Sequence, residues 1–140
     1  QQRWLAEEKG TIRKDWGGKT PVALISALKK QGIDQVVELI QSSTDLVIID
    51  ARRGEEHTKG HIEGAISIVD TDLTESVLAQ HVHAKHLPIL FYCNGIRCLR
   101  SSNAAMKAVG WGYSQVYWFR GGWQEWTEKE LPVAKGRAAK

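Results

Sequence analysis

Cys93 closes an apolar run and opens a glycine-containing loop. The stretch reads Pro88-Ile89-Leu90-Phe91-Tyr92-Cys93-Asn94-Gly95-Ile96-Arg97-Cys98-Leu99-Arg100-Ser101-Ser102, and a helical pattern follows. A strand that stops at a cysteine, then a short loop and a helix N-terminus, is an arrangement that can activate a thiol. Inward-facing N–H groups of the loop and the first helical turn favour an anion. A cysteine placed there can have its pKa lowered from about 8.5 into a range of roughly 3.5–7.5. Two arginines in the loop add positive field. The segment therefore offers Cys93 as a candidate nucleophile. Asn94, Gly95, Ile96, Arg97, Cys98, Leu99 and Arg100 form a candidate pocket for a small anionic substrate. The competing reading of a cysteine at a strand end is a small buried hydrophobe.

The chain has two cysteines, Cys93 and Cys98, and both lie in this loop. That is not the framework of a disulfide-stapled secreted fold, and the spacing is not C-x-x-C. A reversible Cys93–Cys98 disulfide is open to the loop if its Cα atoms come within about 7 Å. No metal site is expected. His81, His83 and His86 read as a solvated loop, and no two ligands stand at a familiar zinc-finger spacing. No cofactor is implied.

Four short apolar runs must carry these residues: Leu46–Asp50, Ala65–Val69, Ile89–Cys93 and Gln115–Trp118. Bounded by polar residues, such runs read as strands buried on both faces. Helical patterns lie between them, at Glu75–His81 and at Ser102–Val109, the latter stopped by Gly110. Upstream, Thr20-Pro21 starts a helix carrying Val22, Ile25 and Leu28 and ending at Gly32. Asp34 caps a second helix with Val36, Val37, Leu39 and Ile40 facing inward. Alternating strands and helices predict an α/β fold: one central, mostly parallel sheet with helices on both faces. Ligands of such sheets bind beyond the carboxyl ends of the strands, where Asp50 and Cys93 both fall. The expected organisation is an N-terminal extension over 1–19, one domain over 20–134 and a tail over 135–140.

A second block runs Asp50-Ala51-Arg52-Arg53-Gly54-Glu55-Glu56-His57-Thr58-Lys59-Gly60-His61-Ile62-Glu63-Gly64-Ala65. It resembles the D-x-R…E-(aromatic)-x-x-G-H-I-x-G-A signature of rhodanese-like domains, the sulfurtransferase superfamily. Gly121-Gly122-Trp123-Gln124-Glu125-Trp126 and Leu131-Pro132-Val133 are similar to that family's G-G-x-x-x-W ending and L-P-V tail. The resemblance covers roughly Asp34 to Val133 in the expected order, and Cys93 falls at the family's active-site cysteine. It implies a thiolate that takes the outer sulfur of a donor such as thiosulfate. The resulting persulfide passes that sulfur to a thiol, a protein thiol included, or to a cyanide-like acceptor.

The loop departs from the family's C-x-x-G-x-R-S form. It resembles a variant, Y-C-N-G-x-x-C-x-R-S, about two residues longer and with an extra cysteine. Cys93 is favoured as the persulfide carrier because it directly follows the strand, with Cys98 the other candidate. Two alternatives to the enzyme stand: a thiol redox element using Cys93 and Cys98, and a non-catalytic module that delivers sulfur or binds a partner. A phosphatase needs an arginine six places after its cysteine, where this chain has Leu99 and Ala104. Asp50 and Arg52 are expected to be a buried polar pair ordering the loops. His61 is expected to hold its turn by hydrogen bonds. Trp118, Trp123 and Trp126 are expected to be core and rim aromatics.

The formal charge of +3 is too small and too evenly spread to point to nucleic acid. No apolar run approaches a membrane span, and no signal peptide is visible at the start. A soluble chain is expected, either cytoplasmic or exported with its signal removed.

Overall fold

The polypeptide alternates between strand and helix because its apolar residues alternate between two periods. In the computed structural model, which describes residues 28–136, the elements are β1 (Lys29–Gln31), α1 (Ile33–Ser42), β2 (Val47–Asp50), α2 (Gly54–Lys59), β3 (His61–Ile62) and β4 (Ile66–Ser67). A 3₁₀ turn (Asp70–Asp72) then leads to α3 (Glu75–His81), β5 (Ile89–Tyr92), α4 (Arg100–Gly110), β6 (Val116–Phe119), α5 (Gly122–Glu128) and β7 (Val133–Ala134). The main sheet has the order β1-β6-β5-β2-β4, and every pair in it is parallel. β3 and β7 form a separate antiparallel pair.

β5 is the centre of the sheet, and all four of its residues are buried. Ile89 and Phe91 face a layer containing Leu78 of α3 and Ala104, Ala105 and Ala108 of α4. Leu90 and Tyr92 face the opposite layer, with Val36 of α1 and Trp126 of α5. Each buried large apolar side chain contributes roughly 1.5–3 kcal/mol. The alanines of α4 let that helix lie close to β5, so the loop joining the two elements is held short at both ends.

Four local expectations are corrected. The helix expected from Thr20-Pro21 does not run through Leu28 to Gly32, because Lys29–Gln31 pair with Tyr117–Phe119 of β6 instead. Ladder hydrogen bonds on an otherwise open edge decide this, and exposed Lys29 and Lys30 blunt the new edge. Thr20, Val22 and Ile25 lie outside the described residues. Gly32 rather than Asp34 precedes α1, and its N–H donates to Gln35 Oε1 (2.8 Å). Gly110 does not stop α4 but belongs to it, and the chain turns at Gly112, whose φ is +100°. The run Ala65–Val69 pairs only over Ile66–Ser67.

Candidate active site

β2 and β5 are neighbours in register, Asp50 opposite Tyr92, so their carboxyl ends open side by side. Cys93 is the first residue past β5 and is 1% exposed. The chain then loops over 93–99 before α4 begins at Arg100. Cys93 and Cys98 are joined by a disulfide, with Cα atoms 6.2 Å apart. Cys98 N–H donates to Gly95 O (3.0 Å), closing the turn that brings the second sulfur back to the first. Among the described residues, the N–H groups of Asn94 to Arg97 have no protein acceptor. They remain available to an anion.

The loop is fastened from α5. Trp123 N–H donates to Cys93 O and Gln124 N–H to Asn94 O, both at 2.8 Å. Gly122 makes this approach feasible. Its φ is +58°, and any Cβ there would collide with the Cys93 carbonyl. On the other side, Asn94 Nδ2 donates to Glu56 Oε2 of α2 (3.0 Å). An open depression of about 610 Å³ results, lined by Asn94, Gly95, Ile96, Arg97, Cys98 and Gln124.

Beneath the loop lies a buried polar network centred on Asp50. Its carboxylate accepts from Arg52 Nε (2.9 Å) and Nη2 (2.6 Å), from Tyr92 Oη (3.1 Å) and from His57 Nδ1 (2.9 Å). Arg52 Nη2 also donates to Gly60 O (2.6 Å), and its guanidinium lies 4.8 Å from the Trp123 ring centre. Gly60 packs tightly against that indole: a Cβ there would stand 3.0 Å from it and force the ring to shift. The network thus reaches Cys93 through Trp123. Burial pushes the Asp50 carboxyl up, but the hydrogen bonds and charge of Arg52 outweigh it and hold the group below the usual carboxylate range. Burial raises Tyr92, helped by the Asp50 charge, so its hydroxyl stays protonated and donates.

His57 stacks on His61 with ring centres 3.6 Å apart. Its Nδ1–H faces Asp50, and its buried Nε2 has no partner among the described residues. Burial lowers its pKa below the usual value of about 6.5, against the opposing pull of Asp50. The unfolded chain therefore binds a proton that the folded chain resists. The stability this contributes is complete above about pH 6.5 and is lost as pH falls toward the lowered folded value. Chemical denaturation of the wild type should show a midpoint falling between pH 7.5 and 5.5. His57→Phe should flatten that slope, and an equal slope in both proteins would remove His57 as its source.

A family model described as the rhodanese-like domain matches residues 32–129. The chain belongs to the rhodanese-like domain family. It is 29% identical over 104 residues to the thiosulfate sulfurtransferase GlpE of Shewanella oneidensis, covering 74% of this chain and 97% of that protein. It is 28% identical over 94 residues to YibN of Escherichia coli K12, covering 66% of this chain and 64% of YibN. The BH2092 protein of Bacillus halodurans shares the fold, with a TM-score of 0.67 at 23% identity over 81% of each chain.

In this rhodanese-like domain, the loop residues expected from sequence do not all face one way. Asn94 to Cys98 line the depression. Leu99 is 51% exposed beside it. Arg100 Nη1 donates to Asp70 Oδ1 (3.1 Å), tying α4 to the 3₁₀ turn. Asp50 and Arg52 are the buried pair expected, and His61 holds its turn through Nδ1 and His57 O (2.8 Å). Sequence reasoning missed Gln124 and the α5 amides. The signal was present in Gly121-Gly122, a pair that allows backbone to approach backbone.

Proposed function

We propose that this domain is a sulfurtransferase that takes a sulfane sulfur from a small anionic donor such as thiosulfate onto Cys93. It then passes that sulfur to a thiol or cyanide-like acceptor. The observation that carries this reading is the position of Cys93 at the carboxyl end of the central strand, under a loop whose amides 94–97 have no acceptor among the described residues. The named activity of GlpE, over most of this chain, supports it. Once the disulfide is reduced, the Cys93 thiolate attacks the outer sulfur of thiosulfate. The donor's S–S bond breaks, sulfite leaves with the electron pair, and Cys93 holds a persulfide. Free loop amides stabilise first the thiolate and then the terminal sulfur.

The experiment is intact-mass analysis of the reduced Cys98→Ser protein, in which no second thiol can displace the sulfur, after thiosulfate, with sulfite measured in parallel. One added sulfur on the Cys93 peptide and matching sulfite are expected. No added sulfur from thiosulfate or polysulfide would remove the reading.

Arg97 lines the depression and is exposed, whereas Arg100 is engaged with Asp70. Arg97→Ala should lower kcat/KM for thiosulfate roughly fivefold, about 1 kcal/mol for a screened charge contact. The loss should shrink at high salt. Arg100→Ala should change kcat/KM less. Steady-state kinetics at two ionic strengths checks both, and unchanged values for Arg97→Ala would leave the anion to the backbone alone.

A further inference from the structure

We propose that Cys98 is a resolving thiol. It displaces sulfide from the Cys93 persulfide, so that the chain reduces sulfane sulfur to sulfide, and a protein dithiol then resets it. The proposal rests on the sulfurtransferase reading, because Cys93 must first carry the sulfur. The two sulfurs are already within bonding reach. The backbone enforces this: the Cys98 N–H to Gly95 O turn folds the loop back, while α5 holds Cys93 O and Asn94 O from below.

The step balances without an outside oxidant. The Cys98 thiolate attacks Sγ of Cys93, and the bond from that sulfur to the terminal sulfur breaks. Hydrosulfide leaves with the electron pair and the persulfide's proton, and the Cys93–Cys98 disulfide forms. The sulfane sulfur is reduced, and the two cysteines are oxidised. This displacement is the one that drives thiol–disulfide exchange.

Burial decides how the disulfide is reopened. Cys93 is 1% exposed, whereas Cys98 is half-buried and lines the open depression. An incoming thiolate therefore meets Cys98. The Cys93 thiolate leaves toward loop amides 94–97, which have no acceptor among the described residues, and a stabilised thiolate leaves faster. A second thiol on the reductant then attacks the mixed disulfide and frees Cys98. The surroundings fit a protein carrying that dithiol. Three large apolar side chains are exposed among the described residues, and two of them, Ile96 and Leu99, stand within two residues of Cys98. A docking protein would bury both, whereas a small thiol has no use for them.

The test mixes fully reduced, anaerobic protein with excess thiosulfate and no added thiol. Wild type should release sulfite and close to one equivalent of sulfide per chain, then stop, with the Cys93–Cys98 peptides linked. Cys98→Ser should release sulfite but no sulfide, and keep its persulfide. A wild-type persulfide that persists beside a free Cys98 thiol overturns the proposal while leaving the sulfurtransferase reading intact. Absence of sulfite from both proteins overturns both. With thioredoxin as the protein-dithiol probe, kept reduced enzymatically, sulfide release should become continuous. It should run at least tenfold faster than with dithiothreitol at the same concentration, and equal rates would overturn the protein-dithiol assignment. Ile96→Ser should slow the thioredoxin-driven rate severalfold more than the dithiothreitol rate; equal effects on both would overturn that assignment.

Discussion

Cys93→Ser is expected to abolish sulfur uptake from thiosulfate while leaving the fold in place. Oxygen replaces sulfur at nearly the same volume, so the 1% exposed position stays filled. A serine hydroxyl is not ionised near neutral pH and has no adjacent base among the groups of the loop. The amides of Asn94 to Arg97, which have no acceptor among the described residues, then have no thiolate to stabilise. The comparison must be made against reduced wild type. The oxidised chain carries the Cys93–Cys98 link, and closing so short a loop is worth about 2 kcal/mol in chain entropy. Sulfite release and the mass of the 93-containing peptide are the readouts. If Cys93→Ser still takes up sulfur and Cys98→Ser does not, the carrier is Cys98 and the assignment of Cys93 falls.

The parts of this fold that were legible in the sequence are those governed by uninterrupted apolar runs. β2 and β5 are buried on both faces, so Val47–Ile49 and Ile89–Tyr92 read as strands with no tertiary information. β1 was hidden because three residues, two of them exposed lysines, have no pattern of their own. Only the open edge of β6 makes Lys29–Gln31 a strand. The site divides in the same way. The cysteine proposed as its nucleophile and the loop that follows are contiguous in sequence and could be named from one segment. Its fastening is not contiguous: the amides that hold Cys93 O and Asn94 O come from Trp123 and Gln124, some thirty residues on. Backbone donors leave little trace in sequence. Gly122 does leave one, since its positive φ and its contact with the Cys93 carbonyl exclude every other residue. Arg100 shows the opposite limit. Its place in the loop suggested a pocket-facing charge, and its partner Asp70, thirty residues earlier, turns it toward the 3₁₀ turn.

Arg52→Met should destabilise the protein by about 3–5 kcal/mol, the usual cost of leaving one member of a buried ion pair alone. Methionine can fill much of the space of the arginine stem but supplies none of the guanidinium's donors. Asp50 would keep its bonds from Tyr92 Oη and His57 Nδ1 and lose those from Arg52 Nε and Nη2. Gly60 O would lose its donor, and the Trp123 ring its cation. Against a typical total of about 5–15 kcal/mol, this is roughly a fifth of the stability or more. The pH dependence gives the loss a signature. With Arg52 present, the Asp50 carboxyl sits below its usual range, so it stabilises the fold above about pH 4 and that contribution is lost as pH falls. Without Arg52, burial prevails and the carboxyl moves above its usual range. The charged form then disfavours folding, and acidification relieves the penalty. The gap between wild type and Arg52→Met should therefore be widest near pH 7 and narrower at pH 5. Asp50→Asn combined with Arg52→Met should recover part of the loss, because no buried charge remains. Urea midpoints for the three proteins at both pH values decide the matter. A gap independent of pH would mean that the arginine acts through packing on Trp123 rather than through the charge of Asp50.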